Sequence, residues 1–249
     1  MPEELITARE VARALGISVE TVWRYTREKK IPFLELGNRQ YRYILADVIK
    51  ALHYSDLVRE ENKQYPTNKP GSFTYQDYLK LPDEPGYRFE VLEGNLVREP
   101  SPNVIHQRVS RRLQRTLEDH FQKVDPRGEV FDAPLDVSWD ETNVVQPDLF
   151  YVPGKQREII LETHIAGSPH LIVEILSSFN KGKDRVRKMQ IYQKAGVQHF
   201  WIVDPEEQSL VCFSLQNQVY ALVTSGLEET TVVHPDFPNL TINLTDLWQ

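Results

Sequence analysis

The sequence predicts two folded parts of different class: an N-terminal helix-turn-helix unit with a small β-hairpin, then an α/β (α+β) core whose mixed sheet is flanked by helices. Two short amphipathic helical patterns lie on either side of Gly16-Ile17, the signature of a helix-turn-helix. Beyond residue 73 the patterns run helix, three strands, helix, strands, which suits a sheet covered by helices. Between them Glu60 to Ser72 holds Pro66, Asn68, Pro70 and Gly71 but few apolar residues, the composition of a linker. The expected boundaries are 1–60, 61–72 and 73–249.

Thr7 and Glu10 have capping-box spacing, and Val11, Ala12 and Leu15 share one face of the helix that follows. Ser18 caps a second helix carrying Val19, Val22, Trp23 and Thr26 to about Glu28. Residues 31–34 and 41–44 read extended about a Gly37-Asn38 turn, a wing, and Ala46 to about Tyr54 closes the unit as a third helix. In the second part, 74–79 is a short capped helix and 89–97 a hairpin turned at Glu93-Gly94-Asn95. Residues 103–121 form a long helix in which Ile105, Val109, Leu113, Leu117 and Phe121 recur every four positions. Strand-like runs follow at 128–139, 144–152 and 170–176, then a helix at 184–195, strands at 199–203 and 210–213, and a weak hairpin near 218–223.

Composition narrows the function classes. With 249 residues, 40% of them hydrophobic and 26% charged, the chain can bury a core and is not disordered as a whole. Its one cysteine, Cys212, excludes an intrachain disulfide and a thiolate zinc cluster, and its apolar neighbours make it a small buried hydrophobe. No secretory leader and no membrane-length apolar run is visible, so a cytoplasmic location without a membrane partner is expected. The net charge of −7 argues against a uniformly positive surface, but it is unevenly spread: residues 1–65 sum to +1 and the rest to −8.

In the first part the chemistry is DNA docking. Residues 18–30 carry Arg24, Arg27, Lys29 and Lys30 against two acids; Thr21 and Arg24 are candidates for base edges, Arg39 and Arg42 in the wing for phosphate or the minor groove. A protein-binding helical unit with solvated charges is the other reading. Thr7-Ala8-Arg9-Glu10-Val11-Ala12, Leu15-Gly16-Ile17-Ser18, Thr21-Val22 and Arg24-Tyr25 resemble the winged helix-turn-helix of the excisionase and MerR families, which implies DNA binding through the second helix and the wing. Glu35 in the wing departs from what phosphate contact prefers.

In the second part, charge interrupts sheet patterns. Asp148 follows Gln146-Pro147 and precedes Leu149-Phe150-Tyr151-Val152, and Glu174 sits inside Leu171-Ile172-Val173-Glu174-Ile175-Leu176. A carboxylate inside a strand is costly unless paired or bound to a cation. With Lys188 on the next helix, two such carboxylates can hold a divalent ion and position water for attack on a phosphodiester. Each residue also has a plainer reading: Asp148 as a strand-edge residue, Glu174 paired with Lys188 or Arg187, Lys188 solvated. Glu90 and His106 are weaker candidates for the same cleft, against a surface hairpin acid and a capping histidine. Arg108, Arg111, Arg112 and Arg115 line one side of the long helix, either as a phosphate-binding stripe or as a solubilising face.

Tyr75-Gln76-Asp77-Tyr78-Leu79, residues 87–94, Ser101-Pro102 with His106-Gln107, Val145-Gln146-Pro147-Asp148-Leu149, Val173-Glu174-Ile175-Leu176-Ser177, Asp184 to Lys188, and Tyr192 with Gly196 to Pro205 closely resemble the Uma2 family, over about residues 73–215. The resemblance implies the restriction-endonuclease-like PD-(D/E)XK fold and a Mg2+- (or Mn2+-) dependent endonuclease. It implies Asp148 and Glu174 as metal-binding acids, Lys188 as the motif lysine moved onto the following helix, and Glu90 completing the metal shell; His106 matches the family histidine without an assigned role. Ser178-Phe179-Asn180 departs from the family loop. DNA is the expected partner and a homodimer the expected assembly, since paired half-sites are commonly read by dimers. The alternative is a regulator that binds DNA and uses a nuclease-like domain without activity for dimerisation or partner binding; a plain interaction protein is a third reading.

Overall fold

In the computed structural model, residues 5–15, 18–36, 41–49, 51, 71–177 and 183–249 are described. The chain divides into two compact units, Met1–Thr67 and Asn68–Gln249. In the first, β3 (Tyr41–Ile44) pairs antiparallel with both β1 (Leu5–Ile6) and β2 (Leu34–Glu35). The Thr7 amide donates to Glu10 Oε2 at 2.7 Å and the Glu10 amide to Thr7 Oγ1 at 3.3 Å, which starts α1 (Ala8–Leu15). Ser18 accepts the Thr21 amide at 3.1 Å and starts α2 (Val19–Arg27).

Val11, Ala12, Val22, Ile31, Tyr43 and Val48 close this small core. Inside it Thr26 Oγ1 donates to the Val22 carbonyl at 2.8 Å and lies 2.7 Å from the Tyr43 hydroxyl. Trp23, expected on the inner face, is 47% exposed, because Val22 and Thr26, four apart, already fill the stripe that meets the core. Residues 45–49 are helical. Gly16-Ile17, Gly37-Asn38, Arg39, the far end of the third helix and the linker up to residue 70 lie outside the described residues.

The second unit contains α3 (Tyr75–Tyr78), β4 (Tyr87–Leu92), β5 (Asn95–Pro100), α4 (Val104–Val124), β6 (Glu129–Asp132), β7 (Val137–Asp140), β8 (Asn143–Val145) and β9 (Leu149–Val152). After a 3-10 turn, Gly154–Ile159, come β10 (Ile165–Ala166), β11 (Leu171–Ile175), α5 (Lys183–Lys194), β12 (His199–Asp204), β13 (Ser209–Gln216) and β14 (Val219–Leu227). β15 (Thr231–Val233), β16 (Thr241–Asn243) and α6 (Leu244–Trp248) end the chain. One sheet has the order β10-β7-β8-β4-β5; a second, mixed sheet has the order β14-β13-β12-β11-β9-β6, with β11 and β12 parallel. β4 and β5 join through Glu93-Gly94, both at positive φ, so the register opposes Leu92 to Asn95 and Arg88 to Glu99.

Two runs expected as single strands are each shared between the sheets. The 128–139 run gives β6 to one sheet and β7 to the other; the 144–152 run gives β8 and β9 likewise. Pro134 and Pro147 lie at the two breaks, where a residue without an amide hydrogen cannot continue a ladder. The long helix also differs in phase. Ile105 is exposed, and the buried row is His106, Val109, Ser110, Leu113, Leu117 and Phe121. A strict four-residue repeat drifts about 40° per step on a helix of 3.6 residues per turn, so Ile105 and Phe121 cannot share a face.

The six-stranded sheet is buried on both sides. Leu149, Tyr151, Leu171, Val173, Ile175, Trp201 and Val203 pack with the inner row of α4. Phe150, Val152, Ile172, Phe200 and Ile202 pack on the other side with Ile191 and Tyr192 of α5.

Candidate active site

The alternation of β11 decides where Glu174 goes. Its neighbours Val173 and Ile175 belong to the α4 side, so Glu174 shares the opposite face with Ile172 and meets α5. There it accepts the Tyr192 hydroxyl at 2.5 Å and the Lys188 ammonium at 3.3 Å. Lys188 is buried, 2.8 Å from Glu90 Oε2 on β4 and 3.8 Å from Glu99 Oε1 on β5. Glu90 Oε1 also accepts the Gln146 amide at 2.8 Å. Arg88, two residues before Glu90, reaches Glu99 at 2.8 Å and Asp148 Oδ1 at 3.1 Å.

Asp148 stands at the break between β8 and β9, where the chain leaves one sheet for the other. Its Oδ2 meets His106 Nε2 at 3.1 Å and accepts the Ile175 amide at 2.8 Å. A cavity of about 250 Å3, lined by Arg88, His106, Gln107, Ser110, Gln146 and Asp148 among others, lies beside this end of the cluster.

The electrostatics follow from burial and neighbours. Burial opposes ionisation of Asp148, but His106, Arg88 and the Ile175 amide outweigh it and hold its carboxyl well below the usual range. Burial raises Glu90 against the pull of Lys188. Glu174 is pushed up to about 7, by burial first and then by Asp148 and Glu90, with Lys188 pulling the other way. Glu99 goes down, since Lys188 and Arg88 together exceed its burial penalty. Lys188 is itself raised despite burial, because three carboxylates surround it, so it is an ammonium at every ordinary pH.

Four buried carboxylates therefore face one arginine and one lysine. If all ionise, two negative charges are left uncompensated, which is the charge of a divalent cation, and the donors are the hard oxygens such an ion prefers. By chemistry the residues fit a divalent metal. Glu90, Asp148 and Glu174, the three acids expected to share it, are not gathered as a ligand trio. Among the described residues, the only His, Cys, Asp or Glu ligand atoms that lie within 4.8 Å of one another as a trio belong to His199, His234 and Asp236. Lys188 stands between Glu90 and Glu174 instead.

Arg88, Glu99 and Tyr192 also belong to this cluster; Arg88 and Tyr192 are among the residues that carry the family resemblance but have no site role there, and Glu99 is not among them. Of the basic residues expected to meet DNA, Arg24, Arg27, Lys29 and Lys30 are exposed on and after α2, and Lys30 pairs with Glu28 at 2.5 Å. Thr21 is half-buried at the cap of α2, 3.0 Å from Ser18 Oγ. Arg42 is half-buried and turned back to the Tyr41 carbonyl at 3.0 Å. Arg39 falls outside the described residues. On α4, Arg108, Arg111 and Arg115 are exposed along one side, whereas Arg112 leaves that row to bind the Leu247 carbonyl at 3.1 Å. The Ser178-Phe179-Asn180 loop is likewise outside the described residues.

Known proteins share this architecture. A crystal structure of a "putative nuclease belonging to DUF820" from Anabaena variabilis is 21% identical and superposes with a TM-score of 0.58, over 71% of this chain and 97% of that one. The fold is the α/β restriction-endonuclease-like one, a mixed sheet flanked by helices. Residues 75–245 match Uma2, described as "putative restriction endonuclease", and the chain belongs to that family. Residues 5–52 match a helix-turn-helix domain. No curated protein matches the chain. No described helix is long and apolar enough to cross a membrane.

Proposed function

We propose that the chain is a divalent-metal-dependent DNA endonuclease, directed to its substrate by the N-terminal helix-turn-helix unit and located in the cytoplasm. The observation that carries this reading is the buried cluster of Glu90, Glu99, Asp148 and Glu174 around Lys188 and Arg88, beside a cavity that reaches Asp148 and His106. Asp148 and Glu174 would hold Mg2+ or Mn2+, with Glu90 completing the shell. When bound, the ion would supply a hard Lewis acid for a phosphodiester.

The protein's own groups divide the remaining work. Lys188, fixed as an ammonium, offsets charge that builds on the phosphate and does not act as a base. Tyr192 holds Glu174 in place through its hydroxyl, and the Ile175 amide and His106 hold Asp148. Arg88 balances Asp148 and Glu99 at the cavity wall. Arg24, Arg27, Lys29 and Lys30 meet the DNA of the target site, and exposed Arg108, Arg111 and Arg115 hold backbone phosphates. A homodimer would place two helix-turn-helix units on paired half-sites.

The test is cleavage of supercoiled plasmid in Mg2+ or Mn2+ by wild type, Asp148→Ala and Glu174→Ala. Loss of cutting in both variants supports the reading, and variants that cut as fast as wild type defeat it. Deleting residues 1–65 is expected to lower site preference more than turnover on nonspecific DNA. One observation favours a second reading, a DNA-binding regulator whose nuclease-like domain does not cut: both Asp148 oxygens are already engaged by Arg88, His106 and the Ile175 amide. Calorimetry with Mg2+ separates the two. Heat of binding at this cluster favours the enzyme, and none in a folded sample favours the regulator.

A further inference from the structure

We propose that His199, His234 and Asp236 form a second metal site, for a zinc-class transition-metal ion, separate from the acidic cluster. Their ligand atoms lie within 4.8 Å of one another, and His199 Nδ1 is 3.9 Å from Asp236 Oδ2. Tetrahedral zinc with bonds of about 2.0–2.1 Å needs ligand atoms somewhat closer, so loading requires a small contraction and no rearrangement of strands. Two imidazoles and one carboxylate are a donor set that suits zinc better than the all-oxygen preference of magnesium.

The surroundings agree. His199 begins β12, and His234 and Asp236 lie in the turn between β15 and β16. Both imidazoles are buried, whereas Asp236 is 45% exposed. Asp236 and His170 line a cavity of about 550 Å3, which gives an ion its way in. His234 Nε2 is buried without a hydrogen-bond partner, so that ring is not committed to a closed network. Asp236 Oδ2 accepts the Ser214 hydroxyl at 2.5 Å, and Ser214 Oγ lies 3.0 Å from His199 Nδ1, so this hydroxyl already draws two of the prospective ligands together and gives way where an ion takes either atom. Burial lowers the pKa of His199 to about 3, with His170 and His234 adding to the effect, and lowers His170 and His234 as well. Neutral rings keep their lone pairs at neutral pH.

His234 Nδ1 accepts the Asp236 amide at 3.1 Å. Coordination through Nδ1 displaces that amide, and coordination through Nε2 moves the ring proton to Nδ1 and opens the same bond. Either way the Asp236 amide reports the event. The ion would tie the turn between β15 and β16 to the central sheet.

The experiment uses the tag-free full chain, stripped with a chelator and titrated with Zn2+ in excess Mg2+, which competes for oxygen sites but poorly for imidazole. The expected result is one Zn2+ per chain, a shift of the Asp236 amide resonance, and a rise in Tm. Asp236→Asn, at a half-exposed position, and His234→Gln are expected to weaken binding at least tenfold while Mg2+ binding is unchanged. Absence of Zn2+ binding by wild type, or affinity unchanged in Asp236→Asn, overturns the site; if His234→Gln fails to fold, the Asp236→Asn result decides alone.

Discussion

The second unit buries two polar clusters that solve the cost of burial in opposite ways. Around Lys188, four carboxylates remain in the interior by surrounding two cations, and burial, with the neighbouring carboxylates adding to it, raises the pKa values of Glu90 and Glu174. Around His199, three imidazoles pack against one another and against Phe237, and burial keeps them neutral. One cluster is held by charge, the other by the removal of charge. They should therefore answer differently to substitution and to pH.

Substitution at Lys188 carries the largest expected effect. Lys188→Met leaves Glu90 and Glu174 without their cation, and breaking a buried pair on one side costs about 3–5 kcal/mol. Denaturant unfolding monitored at the second unit measures it; a loss below about 1 kcal/mol would mean the carboxylates simply protonate. Next come the acids themselves. Asp148→Ala and Glu174→Ala are expected to reduce plasmid cleavage by more than about a hundredfold, more than loss of a supporting residue such as Tyr192→Phe.

The pH responses oppose each other. Glu174 has a native pKa raised from 4.5 to about 7, so its contribution to stability is full below about 4.5 and is lost as the pH rises through about 7. His199 has a native pKa lowered from 6.5 to about 3, so its contribution is full above 6.5 and is lost as the pH falls toward 3. In chelator, thermal melts of Glu174→Gln are expected to flatten the neutral limb of the stability profile, and those of His199→Asn the acid limb. Exchanged limbs would undo the comparison. The smallest effect belongs to the other unit, where Tyr43→Phe removes the buried contact with Thr26, about 0.5–1.5 kcal/mol by denaturation of the helix-turn-helix unit.

How legible the sequence was depended on what each residue interrupts. Asp148, Glu174 and Lys188 stood out, the first two because they break strand patterns that otherwise bury every residue. Glu99 and Arg88 drew no site role because their strands alternate as surface hairpins do. A signal was present all the same: a two-residue turn at Glu93-Gly94 opposes 92 to 95, and counting back pairs Arg88 with Glu99. The division of two strand runs between sheets was written in Pro134 and Pro147, but a missing amide marks where a ladder stops and not which sheet continues it. The imidazole cluster left no mark, since His199, His234 and Asp236 meet only through the packing of the β15–β16 turn against β12.

Because Asp148 sits where the chain steps from one sheet into the next, it is anchored to both: to Arg88 of β4 and to the amide of Ile175 on β11. If the proposed cleavage takes place here, it becomes a strain gauge for the seam: heat or denaturant that slides the five-stranded sheet against the six-stranded one would silence the site before the helices and strands melt.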